Sequence, residues 1–245
     1  MANSVDNIGL NLPEDPVVDF WARPDIAGSE CSKLRNSGCS LFKLNKVEEA
    51  CRQFDEAARS LPECAPYLWQ RGIARYYGKD FPGAAEQFKL GQSVNANDTE
   101  EVIWELLSLA AVAIECDLAV EVDMKGEYER LLVALSEIEE PRPVMKVVQR
   151  MFVGKLPCSE LLETLYSTAI DKDVQSLLAK HFKGCNFEME PSAQNLFYLG
   201  LYVALFECMW ARPSAAVLDL ALTAGYVADD YMISVAKVHQ LRCKS

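Results

Sequence analysis

Cysteine and histidine are the residue types in this sequence that could supply a nucleophile and its base. The chain has nine cysteines but only two histidines, His181 and His239. A thiol becomes a strong nucleophile when an imidazole takes its proton, and such partners meet in space rather than along the chain. Cys185 or Cys208 with either histidine would form such a pair. This gives a cysteine-dependent hydrolase as one alternative function.

No other pattern supports catalysis or metal binding. Neither histidine has a second ligand at helical spacing, and no two cysteines are separated by two residues, so a metal site is not indicated. Gly78, Gly83 and Gly91 are too scattered to cradle a phosphate. The neighbouring acids Asp229 and Asp230 are typical of a helix N-cap. We therefore expect reduced structural thiols, no metal, no cofactor and no enzymatic activity.

The length and the charge of the chain limit the classes of protein to which it can belong. The 245 residues, 50% of them hydrophobic, are enough for one large domain. A net charge of −12 disfavours nucleic acid and anionic membrane surfaces as partners. The longest runs almost free of charge, 106–114 and 196–206, are shorter than the ~18 residues of a membrane span. The acidic first thirty residues are not typical of a targeting signal, so we expect a cytoplasmic protein without membrane insertion.

The elements that must position these residues are helices, and they repeat. Residues 31–64 and 65–98 align in one register, and each unit contains the pattern of two helices. In the first unit the helices are predicted at 31–44 and 46–61. The matched residues are Gly38 with Gly72, Ala50 with Ala84, Phe54 with Phe88 and Leu34 with Leu68. Glycine inside a helix costs about 1 kcal/mol relative to alanine, so its recurrence indicates two helices in close contact, with an aromatic ring filling the space.

These units resemble the tetratricopeptide repeat. That family has a small residue in its first helix, then alanine, an aromatic and another small residue in its second, and proline at the exit. The corresponding residues are Gly38, Ala50, Phe54, Ala57 and Pro62, followed by Gly72, Ala84, Phe88, Gly91 and Ala96. Two departures are Leu34 and Leu68 at the usual tryptophan position and Ala96 at the usual proline. The resemblance implies an all-α fold, a right-handed solenoid of helix pairs that binds other proteins.

A more distant resemblance extends along the chain. Segments 72–77, 97–101, 142–145, 195–200 and 229–232 are similar to tetratricopeptide-like proteins of plants, algae and protists, and to a bacterial outer-membrane repeat lipoprotein that acts as an adaptor for cell-wall hydrolases. We predict an irregular N-terminal segment, 1–28, before a single solenoid over 29–245. The solenoid comprises clear repeats at 31–98, divergent helices at 99–190, and a degenerate repeat with a cap at 192–245. Further helices are predicted at 99–120, 125–136, 144–153, 159–168, 174–182, 195–207, 215–224 and 229–241, the last capping the stack.

Leading helices line the concave side of such a solenoid and meet a peptide or helix of a partner. The register places an apolar, aromatic set there, and the alternative for each aromatic is an ordinary core position. The set is Arg35, Phe42, Trp69, Ile73, Tyr76 and Tyr77. One branch of the family clamps a terminal carboxylate with Lys, Asn and Arg. Those positions hold Arg35, Cys39 and Gln70 here, so only the first fits.

Two further features concern the partner. The aromatic pair Phe20 and Trp21 allows the N-terminal segment either to cap the solenoid or to occupy the groove until a partner displaces it. Residues 100–140 contain twelve acids against Lys125 and Arg130, which is typical of a solvated face or of a docking surface for a basic segment.

We therefore predict a non-enzymatic scaffold or adaptor that binds a peptide or helix of another protein, basic segments included, in the concave groove. A structural subunit of a larger assembly, buried through its apolar C-terminal helices, is the second interpretation. The cysteine-dependent hydrolase is the third.

Overall fold

The computed structural model describes residues 15–116, 125–154, 193–209, 218–219, 222 and 230–242, and this part of the chain is all helical. Its helices are α1 (Pro16–Ala22), α2 (Glu30–Lys43), α3 (Val47–Ser60), a 3₁₀ segment (Pro62–Tyr67), α4 (Trp69–Tyr77), α5 (Phe81–Gln92), α6 (Thr99–Glu115), α7 (Lys125–Glu137), α8 (Pro143–Phe152), α9 (Ala193–Cys208) and α10 (Tyr231–Arg242). None of these helices is long and apolar enough to cross a bilayer.

Two successive helix pairs have the same local geometry. Helix α2 packs against α3, and α4 packs against α5, each pair being joined by three residues. In both connections one non-glycine residue adopts a left-handed backbone, Asn45 with φ 58° and Lys79 with φ 64°. These two residues occupy equivalent positions of the two units. The repetition predicted from the sequence is therefore present in the backbone.

Glycine and phenylalanine make the same contact in both pairs. A Cβ atom added at Gly38 would lie 2.7 Å from Cε1 of Phe54, and one added at Gly72 would lie 2.6 Å from Cζ of Phe88. Both rings are almost fully buried, with 0% and 1% of their surface exposed. The missing side chain thus lets the ring of the second helix contact the backbone of the first.

The later helices continue the stack and then fold back on it. Helix α6 packs on α5, α7 packs on α6, α8 contacts both α6 and α7, and α9 packs on α8. The last helix, predicted to cap the stack, packs on α2 and α4, at the beginning of the stack. Met232, Val235 and Ala236 of this helix are buried.

One local prediction needs correction. The segment 1–28, predicted as irregular, contains α1, which begins where Asp15 accepts hydrogen bonds from the backbone N–H groups of Val17 and Val18. In the second unit the leading helix begins at Trp69, and the residues before it, with Pro62 and Pro66, form a 3₁₀ segment. The helices predicted at 159–168 and 174–182 and most of 215–224 lie outside the described residues.

The acidic run over residues 100–140 is not a uniformly solvated face. Glu105 and Glu140 expose only 1% and 3% of their surface. The guanidinium of Arg130 donates to Glu105 at 3.0 Å, and that of Arg142 donates to Glu140 at 2.8 Å. Part of the negative charge is therefore neutralised inside the structure, because a buried carboxylate requires a charged or hydrogen-bonding partner.

Glu101 is buried without a salt bridge. Its side chain is 4% exposed and its carboxyl group packs against Gly91, where no side chain would fit. Burial, together with the nearby charges of Asp98 and Glu105, raises the pKa of Glu101 to about 9. Glu101 is therefore protonated at neutral pH and stands as a neutral group between α5 and α6.

Candidate functional site

Half of the six predicted groove residues are core residues. Phe42, Ile73 and Tyr77 expose 0%, 1% and 5% of their surface. A partner that meets this conformation of the protein cannot contact them. The partly exposed members of the set are Arg35, Trp69 and Tyr76.

Residues at the start of α10 and within it contact two of these core residues, Phe42 and Tyr77. The ring of Tyr231 stacks on Phe42 at a centroid distance of 5.3 Å and meets Trp69 edge to face at 5.3 Å. Near the other end of α10, Nδ1 of His239 forms a hydrogen bond of 3.0 Å with the hydroxyl group of Tyr77. Aromatic contacts of this kind are favourable beyond the area that they bury.

Arg242 connects the last turn of α10 to the turn after α2, to α3 and to α4. Its Nε donates to Oδ1 of Asn45 at 3.0 Å, and its Nη1 donates to Glu48 at 3.0 Å and to the carbonyl oxygen of Tyr77 at 3.2 Å. A guanidinium that satisfies several acceptors at once is held in one orientation. The chain's own helix thus occupies the faces of α2 and α4 on which the sequence places a partner.

A cavity of about 500 Å³ remains beside α10. Its lining comes from α1, α2, α4, α5, α6 and α9 and from the start of α10. The lining includes Val18, Trp21, Arg35, Trp69, Gln70 and Trp104. The three tryptophans make part of the wall apolar, as in sites that hold small ligands or a partner's side chains, and five acids line other parts of it.

Arg35 brings a cation without a counterion to this cavity. Its guanidinium lies 4.5 Å from the ring centroid of Trp21, and its Nε is buried with no hydrogen-bond partner. Burial lowers the pKa of Arg35, against smaller opposing effects of Cys39, Cys31 and Tyr231. Among the described residues no carboxylate lies within ion-pair distance of it.

Gln70 adds an acceptor that is equally unused. Its side chain is 3% exposed, and Oε1 has no donor. An unpaired buried amide costs roughly 1–3 kcal/mol, so a ligand that supplied an N–H group would recover part of that cost. Nε of Arg35 and Oε1 of Gln70 are thus one donor and one acceptor without partners among the described residues, and both residues line the same cavity.

Three acids of the cavity lining are already engaged. Asp98 caps α6 by accepting from the backbone N–H groups of Glu100 and Glu101 at 2.8 and 3.2 Å, and burial with the nearby charge of Glu100 raises the pKa of Asp98 to about 6. Glu100 pairs with Arg142 at 2.5 Å. Asp230 accepts from the hydroxyl group of Tyr198 at 2.7 Å. Glu101, which also lines the cavity, keeps one oxygen without a partner among the described residues.

The structure also brings together one of the predicted cysteine and histidine pairs. Sγ of Cys208 lies 3.6 Å from Nε2 of His239, while Nδ1 of the same ring bonds to Tyr77. The hydroxyl group orients the imidazole toward the thiol, as the third member of a nucleophile–base–orienter arrangement does. The other predicted candidates, His181 and Cys185, lie outside the described residues.

Sequence reasoning does not place Trp104 at the cavity, because no pattern separates it from core residues. The comparison with the carboxylate clamp names Gln70 but gives it no role. The aromatic pair of the N-terminal segment names Trp21, because such a pair in an otherwise polar segment indicates a contact with the folded body. The indole Nε1 of Trp21 donates to the carbonyl oxygen of Tyr67 at 3.2 Å, and Phe20 stacks on the Tyr67 ring at 4.0 Å.

Within the described residues no group of three or more His, Cys, Asp or Glu side chains could hold a metal ion. No family model, no curated protein and no solved structure matches the chain.

Proposed function

We propose that this chain is a non-enzymatic interaction module built as a tetratricopeptide-type, right-handed solenoid. The proposal is supported by the repeated packing of the two helix pairs. The ring of Phe54 packs against Gly38, and the ring of Phe88 packs against Gly72. The left-handed residues Asn45 and Lys79 recur at the matching turns. Repeats of this kind present elongated surfaces to other proteins.

The observation that carries the proposal is the guanidinium of Arg35, which has no carboxylate partner among the described residues and lies beside a cavity lined by three tryptophans. Removing a cation from water without a partner is costly, and a carboxylate brought by a ligand would offset that cost. The partner segment that fits therefore places an acidic side chain against Arg35. It also places an apolar side chain between Trp69 and Trp104, where aromatic anchors are typical centres of binding energy.

Affinity capture with a charge-removing variant tests this proposal. Arg35→Gln removes the cation and keeps a polar side chain. Arg59→Gln is the matched control, because Arg59 is 69% exposed on α3 and, within the part of the chain that the structure describes, pairs with Glu56 of the same helix alone. A partner that wild type and Arg59→Gln retain from native cells is expected to be reduced at least tenfold with Arg35→Gln, and to bind the purified protein directly.

Two other outcomes would contradict the proposal. Equal capture by Arg35→Gln, with a large and unchanged set of bound proteins, would favour a structural subunit whose contacts are broad. Loss of the partner at high salt alone, with no effect of Arg35→Gln, would move the site to the remaining acidic surface of residues 100–140.

The contact of Cys208 with His239 favours a cysteine-dependent hydrolase as a second candidate function. If the imidazole takes the thiol proton, Cys208 reacts with iodoacetamide at neutral pH faster than Cys116, an exposed thiol of the same chain. His239→Gln would remove this difference. A native Cys208 that reacts no faster than Cys116 would eliminate the hydrolase.

A further inference from the structure

Two buried thiols lie in contact, that of Cys31 at the start of α2 and that of Cys64 in the 3₁₀ segment. The Sγ atoms of Cys31 and Cys64 are 2.8 Å apart, although the residues are 33 positions apart in the chain. Both are free thiols, with 2% and 0% of their surface exposed. The thiol of Cys64 also donates to the carbonyl oxygen of Ala57 at 3.5 Å, which fixes its direction.

This geometry is close to that of a cross-link. A disulfide has a sulfur–sulfur distance of about 2.05 Å, so the two atoms need to approach by less than about 1 Å. Elements that are already packed against one another hold both side chains in place. We propose that Cys31 and Cys64 form a reversible disulfide when the protein meets hydrogen peroxide.

The reaction has two steps. Cys31 loses its proton to water, and its thiolate attacks one oxygen of the peroxide; the O–O bond breaks, hydroxide leaves with the electron pair, and Cys31 becomes a sulfenic acid. The sulfur of Cys64 then attacks the sulfur of Cys31. The S–S bond forms, the S–O bond breaks, and the hydroxyl group leaves as water with the Cys64 proton. Two thiols are oxidised by two electrons, and the peroxide is reduced to two molecules of water.

The surroundings assign the first step to Cys31. Burial raises the pKa of both thiols, but the hydrogen bond with Cys64 and the charge of Arg35 act in the opposite direction on Cys31. For Cys64, the contact with Cys31 raises the pKa further. Cys31 is thus the thiol that ionises more readily and attacks the oxidant, and Cys64 is the thiol that resolves the sulfenic acid.

The cross-link would join the two ends of the first repeat. Helices α2 and α3 lie between the two cysteines, so the bond closes a loop that spans the whole unit. Closing such a loop restricts the unfolded chain and stabilises the folded one. We expect the oxidised protein to unfold at a temperature about 10 °C above that of the reduced protein.

Peptide mapping of the full-length wild-type protein tests the inference. The reduced protein is treated with a small excess of hydrogen peroxide, quenched with catalase, denatured in N-ethylmaleimide and digested for mass spectrometry. The expected main product is a peptide pair that joins Cys31 to Cys64 and is separated by dithiothreitol. Cys39 and Cys51, which are half-buried, serve as comparison thiols and remain alkylated.

Thermal unfolding provides the second measurement. The increase of about 10 °C is expected for oxidised wild type, reversed by dithiothreitol and absent in Cys64→Ala. Full alkylation of both Cys31 and Cys64 after peroxide treatment, or their linkage to other cysteines instead, would overturn the inference. The mapping uses wild type, so this conclusion does not depend on how well the variant folds.

Discussion

Replacing Gly72 with alanine tests the packing on which the fold rests. The new Cβ would lie 2.6 Å from Cζ and 2.8 Å from Cε1 of Phe88, whereas carbon atoms in contact prefer 3.5–4.0 Å. The ring cannot turn into solvent, because it is 1% exposed and stacks on Trp104 at a centroid distance of 5.9 Å. The backbones of α4 and α5 must therefore separate.

The expected loss follows from two opposing effects. Overpacking a well-filled core costs about 1–3 kcal/mol, and alanine returns up to about 1 kcal/mol through its greater helix propensity. We expect Gly72→Ala to lower the free energy of unfolding by about 1–2 kcal/mol and the melting temperature by about 3–6 °C. Chemical denaturation and differential scanning calorimetry measure the two quantities.

Gly126 provides the matched control. It lies in α7, and a Cβ atom added there would meet nothing within 4 Å. Gly126→Ala should leave stability unchanged or raise it by up to about 1 kcal/mol. The double variant Gly72→Ala with Phe88→Leu should lose less stability than the sum of the two single variants, because the smaller side chain makes room. A Gly72→Ala protein as stable as Gly126→Ala would show that the contact between Gly72 and Phe88 does not limit the packing of α4 on α5.

Three further outcomes are expected. Glu101→Gln should raise the free energy of unfolding by about 2 kcal/mol at pH 7 and flatten its pH dependence. Because the pKa of Glu101 is about 9 in the folded state, wild-type stability falls as the pH rises from the ordinary carboxyl range toward 9. Equal pH profiles of the two proteins in urea titrations would contradict this. Tyr77→Phe removes the hydrogen bond to His239 and should cost about 1 kcal/mol in the same titrations; an unchanged midpoint would show that the bond contributes nothing. Arg242→Ala should speed amide hydrogen exchange in α10, because the contacts with Glu48 are lost, while protection of α5 stays unchanged.

The repeat could be predicted because it is local. Glycine and phenylalanine of one pair lie 16 residues apart, as Gly38 and Phe54 do, and their recurrence in the next unit identifies a shared packing scheme. The predicted helix ends agree with the structure to one residue for α2 and α3. Helix ends are encoded by neighbouring residues, such as Ser29, whose hydroxyl group accepts from the backbone N–H of Ser32 at the start of α2.

The packing of α10 over the predicted groove residues of α2 and α4 could not be predicted in the same way. Met232, Val235, Ala236 and His239 have the spacing of one helix face, but the spacing does not state which surface that face covers. Only the folded chain shows that Arg242 of α10 bonds to Asn45, which lies 197 positions earlier, in the turn after α2. The same limit applied to the acidic run, in which single residues such as Glu105 are buried by distant partners.

The cavity was predictable only in part. Arg35 and Trp69 came from the register of the repeat, since both lie on leading helices. Gln70 is distinguished by an unpaired oxygen, which is a property of the folded surroundings and not of the sequence. The sequence does contain a signal for the start of α1, because Asp15 followed by Pro16 is a common N-terminal pattern of helices.

Site-specific photocrosslinking in native cells tests the central claim most directly. A benzoylphenylalanine at Val18, which is 61% exposed at the cavity, is compared with one at Val133, which is 56% exposed on α7. We expect a partner protein that crosslinks from Val18 but not from Val133, and that is lost when Arg35→Gln is added. Identical adducts from the two positions, or adducts from Val18 that Arg35→Gln leaves unchanged, would contradict it.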